Sequence, residues 1–212
     1  MCSSYLHRKR ATLPFPTTLN DVLLYAMFRS LAHHQEQYEA KGRDPLLRIA
    51  MPMDMRSSQE PLSPASNRSS LVFLDRRPSQ IANAAELLSW VYRETQHIKR
   101  HQLGCVFFDC LAVLKQVPFG LQLAVHDRRR ALSAIVSNLG SCEFPSMPGT
   151  VKHVQFLPPL RPGTAVALGV ATCRQELQLT LHYDHRLLTL TAATAMLDRF
   201  VDDLLPLLKP MD

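Results

Sequence analysis

The sequence predicts an α+β domain with a mixed, largely antiparallel sheet and helices packed on one face. Three observations lead to this prediction. Segments of alternating apolar and polar residues, typical of half-buried strands, occur in both halves of the chain. Other segments have apolar residues at every third or fourth position, as in helices with one buried face. Their order is helix, strands, helices, strands, helix, and this order disfavours a doubly wound parallel sheet.

Two domain assignments follow from the first forty residues. Residues 1–16 are basic and interrupted by proline, so we predict an irregular N-terminal segment, and residues 17–212 form a single domain. Thr18 is expected to cap a first helix, with Asp21 as its reciprocal capping partner, and Gly42 is a suitable stop. The predicted inward stripe of this helix is Leu19, Val22, Leu23, Ala26, Ser30 and Leu31.

The middle of the chain alternates strand and loop signals before two helices. Residues 46–55 and 71–74 have strand patterns, and the Ser- and Pro-rich stretch 57–70 between them predicts a surface loop. Ser79 is expected to cap a long helix that Gly104 ends. A second apolar helix is predicted at residues 106–114 and a further helical turn at 119–125.

The last third of the chain predicts a strand-rich region closed by a helix. The expected strands are residues 132–136, 151–156, 165–173 and 176–183. Arg174 and Gln175 are expected to join the last two as a hairpin. The closing helix has a predicted inward stripe of Leu190, Ala193, Leu197, Val201, Leu204 and Leu208.

Composition excludes several function classes. The chain has 212 residues, a net charge of +6 and 46% hydrophobic residues, as in ordinary globular proteins. It has neither an apolar run of about 18 residues for a membrane span nor the apolar core of a secretory signal, so we predict a cytoplasmic protein. The arginines do not form the dense stripe of a nucleic-acid-binding surface. The five cysteines form no C-x-x-C pair and fit reduced thiols.

Four segments resemble the C-terminal lobe of the coenzyme A-dependent acyltransferase superfamily. Residues 18–24 are similar to the family's T-x-N-D-x-x-L helix start, residues 48–56 to its V-P-x-x-x-R strand, and residues 135–140 to its S-N-x-G turn. The closing strand and helix, residues 176–208, make the fourth. This superfamily includes chloramphenicol acetyltransferase, dihydrolipoyl acyltransferases, wax ester synthases and the condensation domains of peptide synthetases. The resemblance implies a chloramphenicol acetyltransferase-like α/β sandwich lobe.

The resemblance also implies a chemistry and a missing part. Family members transfer an acyl group from a coenzyme A or carrier-protein phosphopantetheine thioester to a hydroxyl or amine, and none of these cofactors is expected to be bound covalently here. Their general base lies in an H-H-x-x-x-D-G motif of the N-terminal lobe. This sequence lacks the motif, because Tyr38 and Glu39 follow His33 and His34 where Asp-Gly should stand. We therefore expect little activity alone and a missing N-terminal lobe as partner.

His185 is the first candidate catalytic residue. Residues 184–186, Asp-His-Arg, resemble the start of the D-H-R-x-x-D-G motif of dihydrolipoyl acyltransferases, in which the histidine is the base. Thr189 and Leu190 replace the Asp-Gly of that motif. Two interpretations stay open, a structural histidine and the base of a single-lobed acyltransferase that assembles as a homo-trimer.

Ser137 and Asn138 are the second candidates. A hydroxyl and an amide at a strand end can donate hydrogen bonds to a tetrahedral oxyanion, although Ser-Asn-x-Gly also favours a turn for backbone reasons alone. His97 and His101 have the i, i+4 spacing of metal ligands, but no third ligand stands out and no metal site is predicted. A non-enzymatic binding module with the same fold is the remaining alternative.

Overall fold

The computed structural model describes residues 16–38, 44–55, 69–119, 132–142, 151, 153–174 and 176–208. Its helices are α1 (Leu19–Tyr38), α2 (Ala84–Arg100), α3 (Leu103–Gln116) and α4 (Leu190–Leu208). Its strands are β1 (Leu47–Asp54), β2 (Ser69–Arg76), β3 (Ala134–Ser141), β4 (Val166–Cys173) and β5 (Glu176–Tyr183). The predicted α+β architecture is confirmed. All but the last residue of the predicted irregular segment 1–16, most of the loop 57–70 and most of the helical turn 119–125 lie outside the described residues.

The five strands form one mixed sheet in the order β2-β1-β3-β4-β5. The antiparallel pairs β1–β2 and β4–β5 each extend over the full eight residues of their strands. The parallel pair β3–β4 is shorter, and β1–β3 is reduced to two residue pairs. Most of the pairing is therefore antiparallel, and the predicted hairpin between β4 and β5 is confirmed.

One face of the sheet packs against α1, α2 and α4 in the main hydrophobic core. α1 contacts the sheet as well as both other helices, and twelve of its twenty residues are buried. Leu24, Met27 and Phe28 are almost fully buried although they lie outside the predicted stripe. The stripe was too narrow, because a helix that is apolar nearly all round is a central helix rather than a surface one.

Extended chain crosses the opposite face of the sheet at β4 and β5, and Phe107 of α3 packs against Phe73 of β2 on that face. Residues 151 and 153–163 form no strand, so the predicted strand 151–156 is wrong. This segment crosses the sheet face at Gly169, where any Cβ would overlap the Phe156 carbonyl oxygen. Nδ1 of His182 on β5 donates to the Pro158 carbonyl oxygen at 3.0 Å. A segment that crosses a sheet face has no neighbouring strand to pair with. The alternation of apolar residues in this segment therefore does not indicate a strand.

The predicted boundaries of the middle helices also need correction. Asn83, not Ser79, caps α2, because its Oδ1 accepts hydrogen bonds from the first-turn backbone N–H groups at 3.1 and 3.2 Å. Ser79 lies in a short 3₁₀ turn and bonds Asp44 instead. Gly104 lies inside α3, and the break between the two helices falls at Gln102, which has a φ of 49°.

Two further predictions of local structure are corrected. β2 begins at Ser69, so the predicted loop ends two residues early, and the buried Ser70 hydroxyl donates to the Gly104 carbonyl oxygen at 2.5 Å. The inward face of α4 is rotated from the predicted stripe, because Leu190 is 68% exposed. The buried residues of α4 are Ala192, Ala193, Met196, Phe200, Leu204 and Leu208.

Candidate functional site

The sheet opens between its parallel strands β1 and β3. They pair only through Ile49 with Ala134 and Ala50 with Ile135. Beyond that point β1 continues along β2 and β3 continues along β4, so their carboxyl-terminal halves diverge. In open sheets ligands bind outside the carboxyl ends of parallel strands, where neighbouring strands separate. We call this opening, between residues 51–54 and residues 136–141, the β1–β3 cleft.

α1 contacts both strands of the cleft, and Asn20 near its N-terminus reaches β3. Asn138 of β3 donates through Nδ2 to Oδ1 of Asn20 at 2.8 Å, and its own Oδ1 accepts the backbone N–H of Gly140 at 2.9 Å. Gly140 has a φ of 75°, a conformation that favours glycine. Asn138 thus ties the diverging end of β3 to the start of α1 and fixes one wall of the cleft.

Asp21 anchors the same helix start from inside the protein. Its side chain is fully buried, Oδ2 accepts the Thr18 backbone N–H at 2.6 Å, and Oδ1 accepts the Thr95 hydroxyl of α2 at 2.6 Å. The Asp21 N–H reaches Thr18 Oγ1 at 3.3 Å, which completes the predicted capping box. A carboxylate is favourable at the positive end of the helix dipole. Asp21 is therefore an architectural residue that joins α1 to α2.

Sequence reasoning did not single out Asn20 or the polar role of Thr95. Asn20 meets its partner Asn138 across 118 residues, a contact that no local pattern indicates. Thr95 is a polar residue on the buried face of α2, between Val91 and Ile98. A buried hydroxyl at such a position requires a partner, and that requirement was the available signal.

The structure does not bring the three candidate residues together. Ser137 and Asn138 are consecutive in β3, so their side chains alternate to opposite faces of the sheet. The Asn138 amide is turned to α1, whereas Ser137 is buried on the other face. Their role as joint oxyanion donors stays a prediction, and this alternation allows only one of them to face a given ligand.

His185 lies in an exposed turn after β5. Asp184 organises the turn, since its Oδ1 accepts the Arg186 backbone N–H at 2.9 Å and its own N–H donates to the Ala165 carbonyl at 3.0 Å. Thr189 then caps α4 by accepting the Ala192 N–H at 3.2 Å. The aspartate of the Asp-His-Arg triplet is thus used by the local backbone.

Distance separates this turn from the cleft. Ser137 pairs across β4 with Gly169, which pairs with Thr180 of β5. His185 is five residues further along, about 16 Å at the rise of a strand, and two strands to the side. A His185-based site and the β1–β3 cleft are therefore two different sites.

Two groups with shifted pKa values, Tyr25 and Arg48, lie outside the residues that define the cleft. Burial raises the pKa of Tyr25, with the neighbouring Arg29 acting in the opposite direction. The side-chain hydrogen bond with Asp75 raises the pKa of Arg48, and the two form an ion pair across β1 and β2 with Nε–Oδ1 at 2.7 Å. Both groups stabilise packing between elements, so we give them no part in the candidate site.

Metal and membrane sites find no geometric support in the described part of the chain. The rings of His97 and His101 lie 4.4 Å apart, but no group of three or more potential metal ligands gathers among the described residues. No helix within the described ranges is both long enough and apolar enough to cross a membrane.

Comparison with known proteins is informative only at the level of structure. No family model matches the chain, and no curated protein matches its sequence. The epimerization domain from the third module of tyrocidine synthetase B superposes with a TM-score of 0.66 at 13% identity, over 97% of this chain and 45% of that one. The condensation domain for chain release from the enacyloxin polyketide synthase gives 0.59 at 15% identity, over 98% and 39%.

A solved acyltransferase has the same fold. The wax ester synthase/diacylglycerol acyltransferase from Marinobacter aquaeolei VT8 superposes with a TM-score of 0.58 at 15% identity, over 98% of this chain and 46% of that one. The chain thus spans less than half the length of each of these three proteins. Identities this low establish the fold and not the activity. The chain therefore has the condensation-domain and coenzyme A-dependent acyltransferase fold, in the form of one lobe.

Proposed function

We propose that the chain is one lobe of a condensation-type acyltransferase and that the β1–β3 cleft forms part of its acyl-thioester site. The observation that carries the proposal is the location of the segments that resemble the superfamily. Three of the four segments that resemble the superfamily, residues 18–24, 48–56 and 135–140, belong to α1, β1 and β3, the elements that build the cleft. The thioester donor is coenzyme A or a carrier-protein phosphopantetheine arm, and the acceptor is a hydroxyl or an amine.

In this mechanism the chain positions the thioester and another lobe supplies the base. The acceptor oxygen or nitrogen attacks the thioester carbonyl carbon, its proton passes to a base, and the thiolate leaves as the tetrahedral intermediate collapses. None of the described residues of the cleft is a histidine. A partner lobe that carries H-H-x-x-x-D-G would provide the proton acceptor.

An exposed apolar stripe on α3 supports the existence of a partner lobe. Val106, Cys110 and Val113 follow at i, i+4 and i+7, so they share one side of the helix, and all three are exposed. The exposed Val117 follows directly after the end of the helix. Val113 is 61% exposed. Apolar surface of this kind usually marks a partner site. Because the chain spans less than half of the similar proteins, the occupant we propose is the second lobe.

His185 defines the alternative function, a single-lobed acyltransferase that assembles as a trimer. The specific observation in its favour is that the imidazole lies exposed at the end of β5, where a neighbouring subunit could reach it. In that case the base and the acyl donor would meet between subunits, away from the β1–β3 cleft.

Two exposed leucines discriminate between these sites. Leu139 lies in the cleft and is 51% exposed, and Leu187 lies beside His185 and is 53% exposed. We expect octanoyl-coenzyme A binding, measured by isothermal titration calorimetry, to weaken at least about fivefold in Leu139→Asp, because a carboxylate would repel the anionic donor. Leu187→Asp is the matched control and should bind as the wild type does.

The opposite binding result would place the acyl-thioester site at the turn that contains His185. Weakened binding in Leu187→Asp alone, together with thiol release that His185→Ala abolishes, would replace the cleft proposal with the trimeric enzyme. Absence of binding to the wild-type chain would leave a non-enzymatic module. Under the leading proposal the chain alone releases no thiol above background, since a positioned base contributes about 10²–10⁴-fold in rate.

A further inference from the structure

A second concave site lies at the other end of β2. An open groove of about 570 Å³ runs between the end of β2 and the first half of α2, and its polar lining residues are Arg76, Gln80, Glu86, Ser89 and Arg93. The aromatic side chain of Trp90 also lines the groove. Ser70, which faces Met53 beside the β1–β3 cleft, is six residues from Arg76, or about 20 Å along the strand. The groove is therefore separate from the cleft.

Arg76 is held in the groove by an aromatic ring rather than by a carboxylate. Its guanidinium carbon lies 3.9 Å from the centroid of the Trp90 ring, which itself meets Phe28 edge to face at 5.8 Å between centroids. Its Nε is buried without a hydrogen-bond partner. A cation over an indole ring is favourable, and this contact does not use the in-plane N–H donors of the guanidinium.

The groove has an excess of positive charge at this point. Burial lowers the pKa of Arg76, attraction from Glu94 opposes this effect, and repulsion from Arg93 adds to it. Among the described residues, no carboxylate forms a salt bridge with either guanidinium. Two arginines in one groove, neither in a salt bridge with a described carboxylate, are suited to bind the oxygens of a phosphate or carboxylate.

We propose that this groove binds a small organic molecule bearing a phosphate or carboxylate, with Arg76 and Arg93 contacting the anion. Gln80 and Ser89 are the neutral hydrogen-bonding groups of the same wall. The volume of about 570 Å³ lies within the range of small-molecule sites and leaves room beside the anion for an organic part of the ligand. This inference is independent of the acyl-transfer proposal.

Trp90 offers a direct measurement, because it is the only tryptophan of the chain. Its fluorescence is titrated with inorganic pyrophosphate and, separately, with citrate, at an ionic strength held constant with sodium chloride. We expect a saturable change with at least one of them. The more effective anion identifies the phosphate or carboxylate class of ligand.

Three exposed positions on α2 make the test specific. Arg93→Gln should weaken binding about tenfold, because a charge-assisted hydrogen bond is lost. Glu86→Gln should strengthen it about threefold, because a like charge leaves the groove. Arg100→Gln is the matched control, since Arg100 is equally an exposed arginine on this helix but lies outside the groove, and it should bind as the wild type does.

The proposal makes these changes depend on position and not only on charge. Equal weakening in Arg93→Gln and Arg100→Gln would show a general attraction of anions to a basic protein and would overturn it. Absence of a saturable signal from the wild-type chain with both anions would overturn it as well. Far-UV circular dichroism confirms that each variant is folded before the titration.

Discussion

Removing the hydroxyl of Thr95 tests whether the start of α1 is held by a buried hydrogen bond between helices. Thr95 Oγ1 lies 2.6 Å from Asp21 Oδ1 and 3.0 Å from the Tyr92 carbonyl oxygen. A hydroxyl has one proton, and the shorter contact to a charged acceptor takes it. Since Asp21 has no exposed surface, Thr95→Val leaves that carboxylate oxygen without its donor in a place that water does not reach.

The expected cost follows from leaving a charged acceptor unsatisfied. A buried group without its hydrogen bond costs about 1–3 kcal/mol, with charged groups at the upper end, so we expect a loss of about 2–3 kcal/mol in the free energy of unfolding. For a chain of this length each kcal/mol shifts the melting temperature by about 2–4 °C. Urea unfolding followed by far-UV circular dichroism and by Trp90 fluorescence measures the change.

Thr95→Ser separates the hydroxyl from the methyl group. Serine keeps the donor and loses one buried methyl, at a cost of about 1 kcal/mol. A double-mutant cycle with Asp21→Asn then isolates the coupling between the two side chains. If Thr95→Val proved as stable as Thr95→Ser or more stable, the hydrogen bond would not hold α1 to α2 and the reasoning would fail.

Three other features give predictions of the same kind. Alanine at Gly169 places a Cβ on a backbone carbonyl and should cost at least about 2 kcal/mol in urea unfolding, whereas alanine at Gly104 meets flexible methionine thioethers and should change stability by less than about 1 kcal/mol. Val113→Glu on α3 should reduce hydrophobic-dye binding and self-association, measured by fluorescence and sedimentation. Hydrogen bonds from Ser79 lower the pKa of Asp44 from 3.8, so their stabilisation is present above pH 3.8 and disappears as the pH falls through the folded-state pKa. Asp44→Asn should flatten the acid side of the stability profile.

Matched variants give these predictions their controls. Ala112→Glu introduces the same charge at an exposed position of α3 that points away from the apolar stripe, so it should leave dye binding unchanged. A well-behaved wild-type monomer that binds no dye would argue against a partner lobe and for a complete module. An acid profile that is identical with and without the Asp44 carboxylate would contradict the assigned hydrogen bonds.

Local patterns were sufficient where the structure is decided locally. The capping box of α1 depends on residues three apart, Thr18 and Asp21, and it forms as predicted. β5 was predicted from the alternation of Leu177, Leu179 and Leu181, and it pairs with β4 through a tight hairpin. In these elements the residues that encode the structure are also the ones that make the contacts.

Local patterns gave wrong predictions where a contact with a residue distant in sequence decides between two possible structures. Ser79 and Asn83 are both good helix caps, and the choice between them depends on Asp44. Its carboxylate, 35 residues earlier in the sequence, accepts a hydrogen bond from the Ser79 hydroxyl at 2.7 Å. Residues 151–156 have a strand pattern, but the absence of a Cβ at Gly169 lets the chain cross the sheet face instead. The same limit applies to the β1–β3 cleft, because it arises from register and not from composition.

The contacts made by the segments that resemble the superfamily give their polar side chains a structural role. Both carboxylate oxygens of Asp21 accept hydrogen bonds, the Asn138 amide joins Asn20 to the Gly140 backbone, and the Asp184 carboxylate closes its own turn. Each of these side chains is engaged in holding an element in place, and none is a free proton acceptor. Under the proposed function, this lobe gives the thioester site its shape, and a second lobe supplies the base that accepts the proton. Adding a separately purified lobe that carries H-H-x-x-x-D-G should then produce thiol release that neither polypeptide shows alone, and the apolar stripe of α3 should lose its dye binding on assembly.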